Sequence, residues 1–509
     1  MKLCRIIFIL TLLILISILI LASGCIQQGT PLRTQNNEEI AGRVISEKLI
    51  VKFGFFSGIP ENFKISPDST RFVYVEKEGE KRFIVLDGEN EKKYDDINGF
   101  IFSPDSKRLA YAAKENDMSF VVIDGKEQTH YENVKNLIFS PDGKHLAYVA
   151  NDSGKWFAII DGNEENRYDR SEIPVFSPDS KQVAYAVRNE DKWFVLINGK
   201  EQKHFEISLT PIFSPDSDQV AYIARDKDKM FAVFDGIEKK RYDSILANTF
   251  IFSPDSNKTS YVAKKDGKWF VVLNEEEGKA FDEILKYTPI FSPDSKVAYA
   301  AKDKDGWFVV VDGKEQKRYA SILKHTLTFS PDGKRIAYAA REGDKWFVVV
   351  DGKEGKRYDD ILKHTPVFSP DSKRVAYVAR EGDKWFVIEE TTDGDKFKNI
   401  ITFRPDSNFD EVGNDDAKDV INSSIGNQYD GIIEGSLLFS PDSKHLVYGV
   451  SNSDGQFVVV DGKDGKRYDS IIFIYDGGGI MFDSPDRFHY LARKNGGIYL
   501  VEEIAATYI

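Results

Sequence analysis

Residues 329–368 read FSPDGKRIAYAAREGDKWFVVVDGKEGKRYDDILKHTPVF, and the fold follows from this stretch. It opens on a marker, Phe329-Ser-Pro-Asp-Gly. Arg335 to Ala340 is then a short apolar strand, Glu342-Gly343-Asp344 a turn, and Trp346 to Val350 a second strand of aromatic and β-branched residues. Asp351-Gly352 is a hairpin turn pair, since both residues tolerate positive φ. Lys356 to Ile361 is a third, more polar strand, and Thr365 to Phe368 leads as a fourth into the next marker. No room is left for a helix. The two middle strands are apolar at nearly every position, so both of their faces must be covered.

The marker Phe-Ser-Pro-Asp-Ser/Gly starts at Phe102, Phe139, Phe176, Phe213, Phe252, Phe291, Phe329, Phe368 and Phe439, with weaker copies at Ile65, Phe403 and Phe482. The first four spacings are 37, the next four 39, 39, 38 and 39, and the last three 35, 36 and 43. A four-stranded sheet covered on both faces and repeated many times is a blade packed between blades. The expected fold class is therefore all-β, a β-propeller of twelve four-stranded blades. Tyr111, Tyr148, Tyr185, Tyr222, Tyr299, Tyr338 and Tyr377 share one phase of the repeat. The six tryptophans (156, 193, 269, 307, 346 and 385) share another, read as packing between blades rather than as a glycan platform. The unit from Phe403 departs most, with Asn408 to Gly413 in place of the Ala-Tyr strand.

Composition narrows the function. The chain has 509 residues, 82 acidic and 69 basic, with a net charge of −13. That balance argues against a nucleic-acid partner, which needs clustered positive charge. Both cysteines, Cys4 and Cys25, precede residue 26, so the rest holds no disulfide, thiolate metal site or catalytic thiol. No cofactor or metal is expected. There is no Gly-x-Ser-x-Gly elbow, no phosphate loop and no His-Glu-x-x-His.

The repeated Ser-Pro-Asp-Gly/Ser-Lys marker, followed by an apolar strand, resembles the TolB-type and WD-type propeller repeats over about 60–509. Six-bladed rings are what the TolB resemblance implies. Twelve units then divide into a first propeller, 46–277, and a second, 278–509. The strand from Leu49 to Phe56 would close the sixth blade and the one near 278–284 the twelfth. Seven plus five, or one large ring, fits the strand count as well. The chain begins on an outer strand and ends, after Gly497 to Val501, without one, so strands from different ends can share a blade and lock the ring.

Lys2 and Arg5 precede an apolar run from Ile6 to Ala22, then Ser23-Gly24-Cys25. A positive start, a short apolar core and small residues before a cleavage point form an export signal, 1–24. It resembles a prokaryotic lipoprotein signal, with Ala22 a departure from the usual residue of the box. The resemblance implies that Cys25 becomes the first mature residue and carries a lipid, anchoring the chain to the outer face of the cytoplasmic membrane or to the cell surface. An uncleaved signal anchor is the alternative. Residues 25–45 read as a flexible tether.

The repeats also compare faces. Ser-Pro-Asp and Asp-Gly turns hardly vary and suit a backbone role. Loops before each marker, and before each tryptophan, do vary. Among them Tyr287, His325 and His364 share a phase and form the candidate binding face, with acidic tips such as Asp226/Asp228, Asp303/Asp305 and Glu381/Asp383 nearby in the unit. Asn151, Asn257 and Asn422 match the N-glycosylation pattern. The leading expectation is a non-catalytic module that binds a protein or envelope component. The alternatives are a carbohydrate-active enzyme, a lyase or glycosidase at a channel mouth, and a self-associating surface protein.

Overall fold

The computed structural model describes residues 35–52, 62–391, 398–399, 428–472 and 479–505. They form eleven antiparallel sheets and no helix. One sheet stands for the others. Its inner edge is Ser321–Ile322 and Thr328–Phe329, its middle strands are Ile336–Glu342 and Lys345–Val350, and its outer strand is Lys353–Glu354. The outer strand continues to Tyr358, which bridges Trp346. The middle strands pair Ala337 with Val350 and Ala339 with Val348. Ile336 to Ala340 are all buried, with no alternation, because both faces of the sheet meet a neighbour.

Those meetings are the core. Among the described residues there are eleven clusters of buried side chains, one for each pair of adjacent sheets. In the typical case small alanines of one sheet receive a large tyrosine of the next. Tyr338 is wholly buried and meets Tyr319 edge-on at 6.3 Å. Truncating a buried ring of this size costs about 3–5 kcal/mol.

The marker turn ties the sheets together. In each turn the serine hydroxyl donates to the aspartate, as Ser330 does to Asp332 at 2.6 Å, and the same aspartate accepts the amide of Lys334. The next marker reaches back: the Asp332 amide donates to Ser372, 40 residues on, and the Asp142 amide to Ser180. These serines sit in the left-handed region, Ser372 at φ 62°, which is why serine or glycine closes the marker.

Ring closure differs from the expected partition. Arg43–Lys52 pairs with Gly497–Ala505, so one sheet unites both ends of the chain. That sheet packs on the first repeat through Ile472, Leu491 and Ile498, and on the last through Ile45, Phe488 and Val501. The strand does not close a sixth blade. Sheets on either side of residue 277 share a cluster that includes Val262, Val271, Tyr299 and Phe308. The packing runs through every sheet and returns to the first, as one ring does and two rings of 46–277 and 278–509 would not.

Two further expectations are corrected. Eleven sheets, not twelve, appear among the described residues. The tenth marker, at Phe403, lies outside them. The sheet containing Arg374–Glu381 takes Tyr429 as the bridge partner of Trp385, and the Asp371 amide donates to Ser443, 72 residues on. The eleventh marker is thus the direct neighbour of the ninth. The tether ends sooner than residue 45, because Gln35–Ile40 and Arg43–Lys52 form a hairpin. Its polar sequence is that of an exposed edge strand rather than of a linker.

Candidate functional site

The inner edge of each sheet is broken midway by a short loop. It leaves the strand between Ile322 and Thr328, for example, and rejoins it. Adjacent sheets come closest here: the His364 amide donates to the His325 carbonyl at 3.2 Å. Across the outer edge they are spanned instead by long side chains, such as Lys317 to Glu354. The loops therefore lie along the inner edge, where each interrupts a strand instead of joining two.

Loop length divides the ring. From the outer aromatic to the next marker phenylalanine is 8 residues in the first four units, as from Tyr131 to Phe139. It is 10 in five later units, as from Tyr358 to Phe368. In the short units the break is a bulge of the strand, between Lys135 and Ile138, or three residues, between Ser171 and Val175. In the long units it is five residues with a common design. A buried hydroxyl pins it: Thr326 donates to the Leu323 carbonyl at 2.7 Å and accepts the Ala339 amide at 3.0 Å. Thr249, Thr365 and Ser436 repeat both bonds. The preceding residue is forced into the left-handed region and its side chain outwards.

The residues so presented are Asn248, Tyr287, His325, His364 and Gly435, at φ 64°, 67°, 63°, 61° and 78°. Gly adopts this conformation freely and Asn and His are enriched in it, whereas a tyrosine pays about 1 kcal/mol or more. Three consecutive sheets thus hold an aromatic side chain at this position. Tyr287 lies 4.1 Å from His325 and His325 5.0 Å from His364, ring centre to ring centre, giving a continuous stack over three sheets. The Glu434 carboxylate of the next sheet lies 3.6 Å from the His364 Nε2. The three sequence-chosen residues are therefore brought together, and Tyr287 remains half exposed.

Sequence reasoning missed the rest of the arc. Lys286, Lys324 and Lys363 each precede a stacked ring and are exposed, with no carboxylate partner among the described residues. Burial, with His364, Lys363 and Lys324 nearby, holds the His325 imidazole below the usual histidine range, while Glu434 pulls the other way. Between the last two rings is a cleft of about 370 Å³. Leu327, Phe329, Pro331, Pro366, Val367 and Phe368 form its apolar part, His325 and His364 its lip, and no carboxylate lines it. The readable signal was the two-residue lengthening of these units.

The other candidates separate from this arc. One acid of each tip is paired: Asp303 receives Arg318, Glu381 meets Lys356, and Asp226 lies 3.6 Å from Arg241. The tryptophans are half-buried between sheets, and several carry a cation on the ring, as Lys135 does on Trp156 at 3.9 Å. Asn151 donates to the Lys155 carbonyl and Asn257 is exposed in a marker turn, while Cys25 and Asn422 lie outside the described residues.

The fold is thus an all-β ring of four-stranded blades, a β-propeller. No family model and no curated protein matches the chain. Among solved structures it is similar to TolB from Acinetobacter baumannii, at 16% identity over 48% of this chain and 76% of that one, TM-score 0.22. It is similar to the β-propeller domain of the Trilobed protease from Pyrococcus furiosus, at 13% identity, covering 51% and 94%, TM-score 0.26. It also resembles the acylaminoacyl peptidase of Pyrococcus horikoshii, at 12% identity, covering 59% and 58%, TM-score 0.25.

Proposed function

We propose that this chain is a non-catalytic binding module, held by a lipid on Cys25 outside the cytoplasmic membrane of a prokaryote, that engages a protein or envelope component through the long-loop arc. One observation carries the reading. Tyr287, His325 and His364, from the loops that vary between units, stack on one another over three consecutive sheets with Tyr287 half exposed, and loop residues gathered in this way on a rigid scaffold are the usual carriers of binding. The cleft beside them lacks the carboxylate pair that glycosidase chemistry needs, which favours binding over the carbohydrate-active alternative. The export signal, 1–24, supports the location.

The test is crosslinking in intact cells, with identification of captured proteins by mass spectrometry. A partner recovered reproducibly with the wild type and lost when Tyr287, His325 and His364 are all changed to Ala supports the reading. The same partners with and without the stack overturn it. A Cys25→Ser chain should appear in the soluble extracytoplasmic fraction, and retention on the membrane refutes lipid anchoring.

A further inference from the structure

The reading above leaves the ligand's chemistry open, and the following inference rests on it. We infer that the arc takes an extended acidic peptide segment carrying one apolar side chain, donated by a protein partner.

Charge comes first. The chain as a whole carries −13, yet three consecutive sheets each present an exposed lysine without a partner among the described residues (Lys286, Lys324 and Lys363). The net negative charge of the chain repels an anionic ligand in general, whereas three cations on consecutive sheets attract it here, with the Glu434 carboxylate bounding the arc beside His364. The three lysines stand on sheets whose stacked rings are 4.1 and 5.0 Å apart. Carboxylates on one side of an extended peptide recur about every 6.8 Å. Flexible lysine stems bridge the difference in step.

The cleft selects among anionic ligands. Its lining is mixed: Leu327, Phe329, Pro331, Pro366, Val367 and Phe368 stand beside Thr326, Thr328 and the two imidazoles, and Lys324 and Lys363 directly precede those imidazoles in the chain. The apolar members give one apolar side chain of a ligand a surface to pack on. An acidic polysaccharide has none. It would instead use free aromatic faces, and His325 spends both of its own on Tyr287 and His364, which leaves the outer faces of those two at the ends of the stack. The ring edges remain, and they supply hydrogen-bonding groups to a peptide backbone.

The probe is a fluorescein-labelled decapeptide of alternating Glu and Ser with a single central Leu, added to the purified full-length protein in detergent and followed by anisotropy. Saturable binding is expected, weakening at least 10-fold when Leu is replaced by Ser, and at least 10-fold in a Lys286→Gln, Lys324→Gln, Lys363→Gln variant. These lysines are exposed, so that variant should melt with the wild type, which separates a binding defect from a folding one. Raising the salt from low to high should weaken binding, as screening requires. Equal binding of the peptide lacking Leu, or displacement by polygalacturonate as effective as by unlabelled peptide, overturns the inference in favour of general polyanion binding. So does absence of any peptide binding. In each of those cases a partner crosslinked through the stack would leave the binding-module reading standing, so the two failures are distinguishable.

Discussion

Replacing Thr326 by Val tests how the arc is held. The side chain is buried, at 2% exposure, and its hydroxyl serves two backbone groups, the Leu323 carbonyl and the Ala339 amide. Val keeps the shape and removes the hydroxyl, so no cavity is made. Each backbone group left without a partner costs about 1–3 kcal/mol, which puts the loss at about 2–6 kcal/mol for the two. Thr326→Ser keeps both bonds and loses one methyl, a cost of about 1 kcal/mol. Ser436 already does this work in another sheet, donating to the Ile433 carbonyl and accepting the Gly449 amide. Guanidinium unfolding followed by fluorescence reads the difference, because Trp307 and Trp346 pack within the sheets concerned. Amide exchange at Ala339 reads it locally, and should accelerate with Val and change little with Ser. Equal destabilisation by the two substitutions would refute the reasoning, because the methyl would then matter and the hydroxyl would not. A Val variant within 0.5 kcal/mol of the wild type, taken as the spread of ordinary surface changes, would refute it as well.

Two other predictions concern the ring itself. Glu503 is wholly buried in the closing sheet, 3.5 Å from the buried Arg43, and accepts the Tyr490 hydroxyl at 2.6 Å. Glu503→Ala should cost about 3–5 kcal/mol by leaving Arg43 unpaired, whereas changing both to apolar residues should cost far less; thermal unfolding of the two variants decides. Asp142, Asp179, Asp255 and Asp442 of the markers are held below the usual carboxylate range, chiefly by the serine hydroxyl beside each, with Asp179 at about 2 against an ordinary 3.8. Asp442 is likewise at about 2. Their folded values lie below their unfolded ones, so the stability they contribute is complete above about pH 4 and is lost as the pH falls towards 2. An unfolding midpoint that does not change across that interval would contradict it.

Blades, strand order and the buried tyrosine positions were legible in the sequence because they repeat. A pattern such as Ile336 to Ala340 has only one stable environment, a sheet covered on both faces, and nine strong copies state it. What the sequence hid is what occurs once. The pairing of Arg43–Lys52 with Gly497–Ala505 joins segments that share no local signal, and division by six was equally compatible with the strand count. The unit at Phe403 carried a marker but no Ala-Tyr strand, and the marker alone does not make a sheet. At the site, the phase of Tyr287, His325 and His364 placed them correctly relative to one another. It did not show that the loop breaks the inner strand, since Asp360–Ile361 and Val367–Phe368 are each too short to be read as strands. The lysines were passed over because a lysine on a loop is ordinarily just solvated.

The sheet shared by both ends also orders events in the life of the chain. Arg43 pairs with Ala505, so the strand Arg43–Lys52 waits for nearly the whole polypeptide before it finds its second partner. Closing a loop of that length costs about 2 kcal/mol more entropy than closing one repeat, because the cost grows only with the logarithm of length. Each repeat can pack on its predecessor as it emerges, but the ring remains open, with a bare strand edge at each end, until synthesis or translocation is complete. In that interval two chains could join end to end through the edges that one chain would use to close on itself. Polar, charged residues along Gln35–Ile40, the strand left outermost after closure, are suited to discourage such an encounter. The same seam that finishes the molecule is thus the place where its assembly can go wrong.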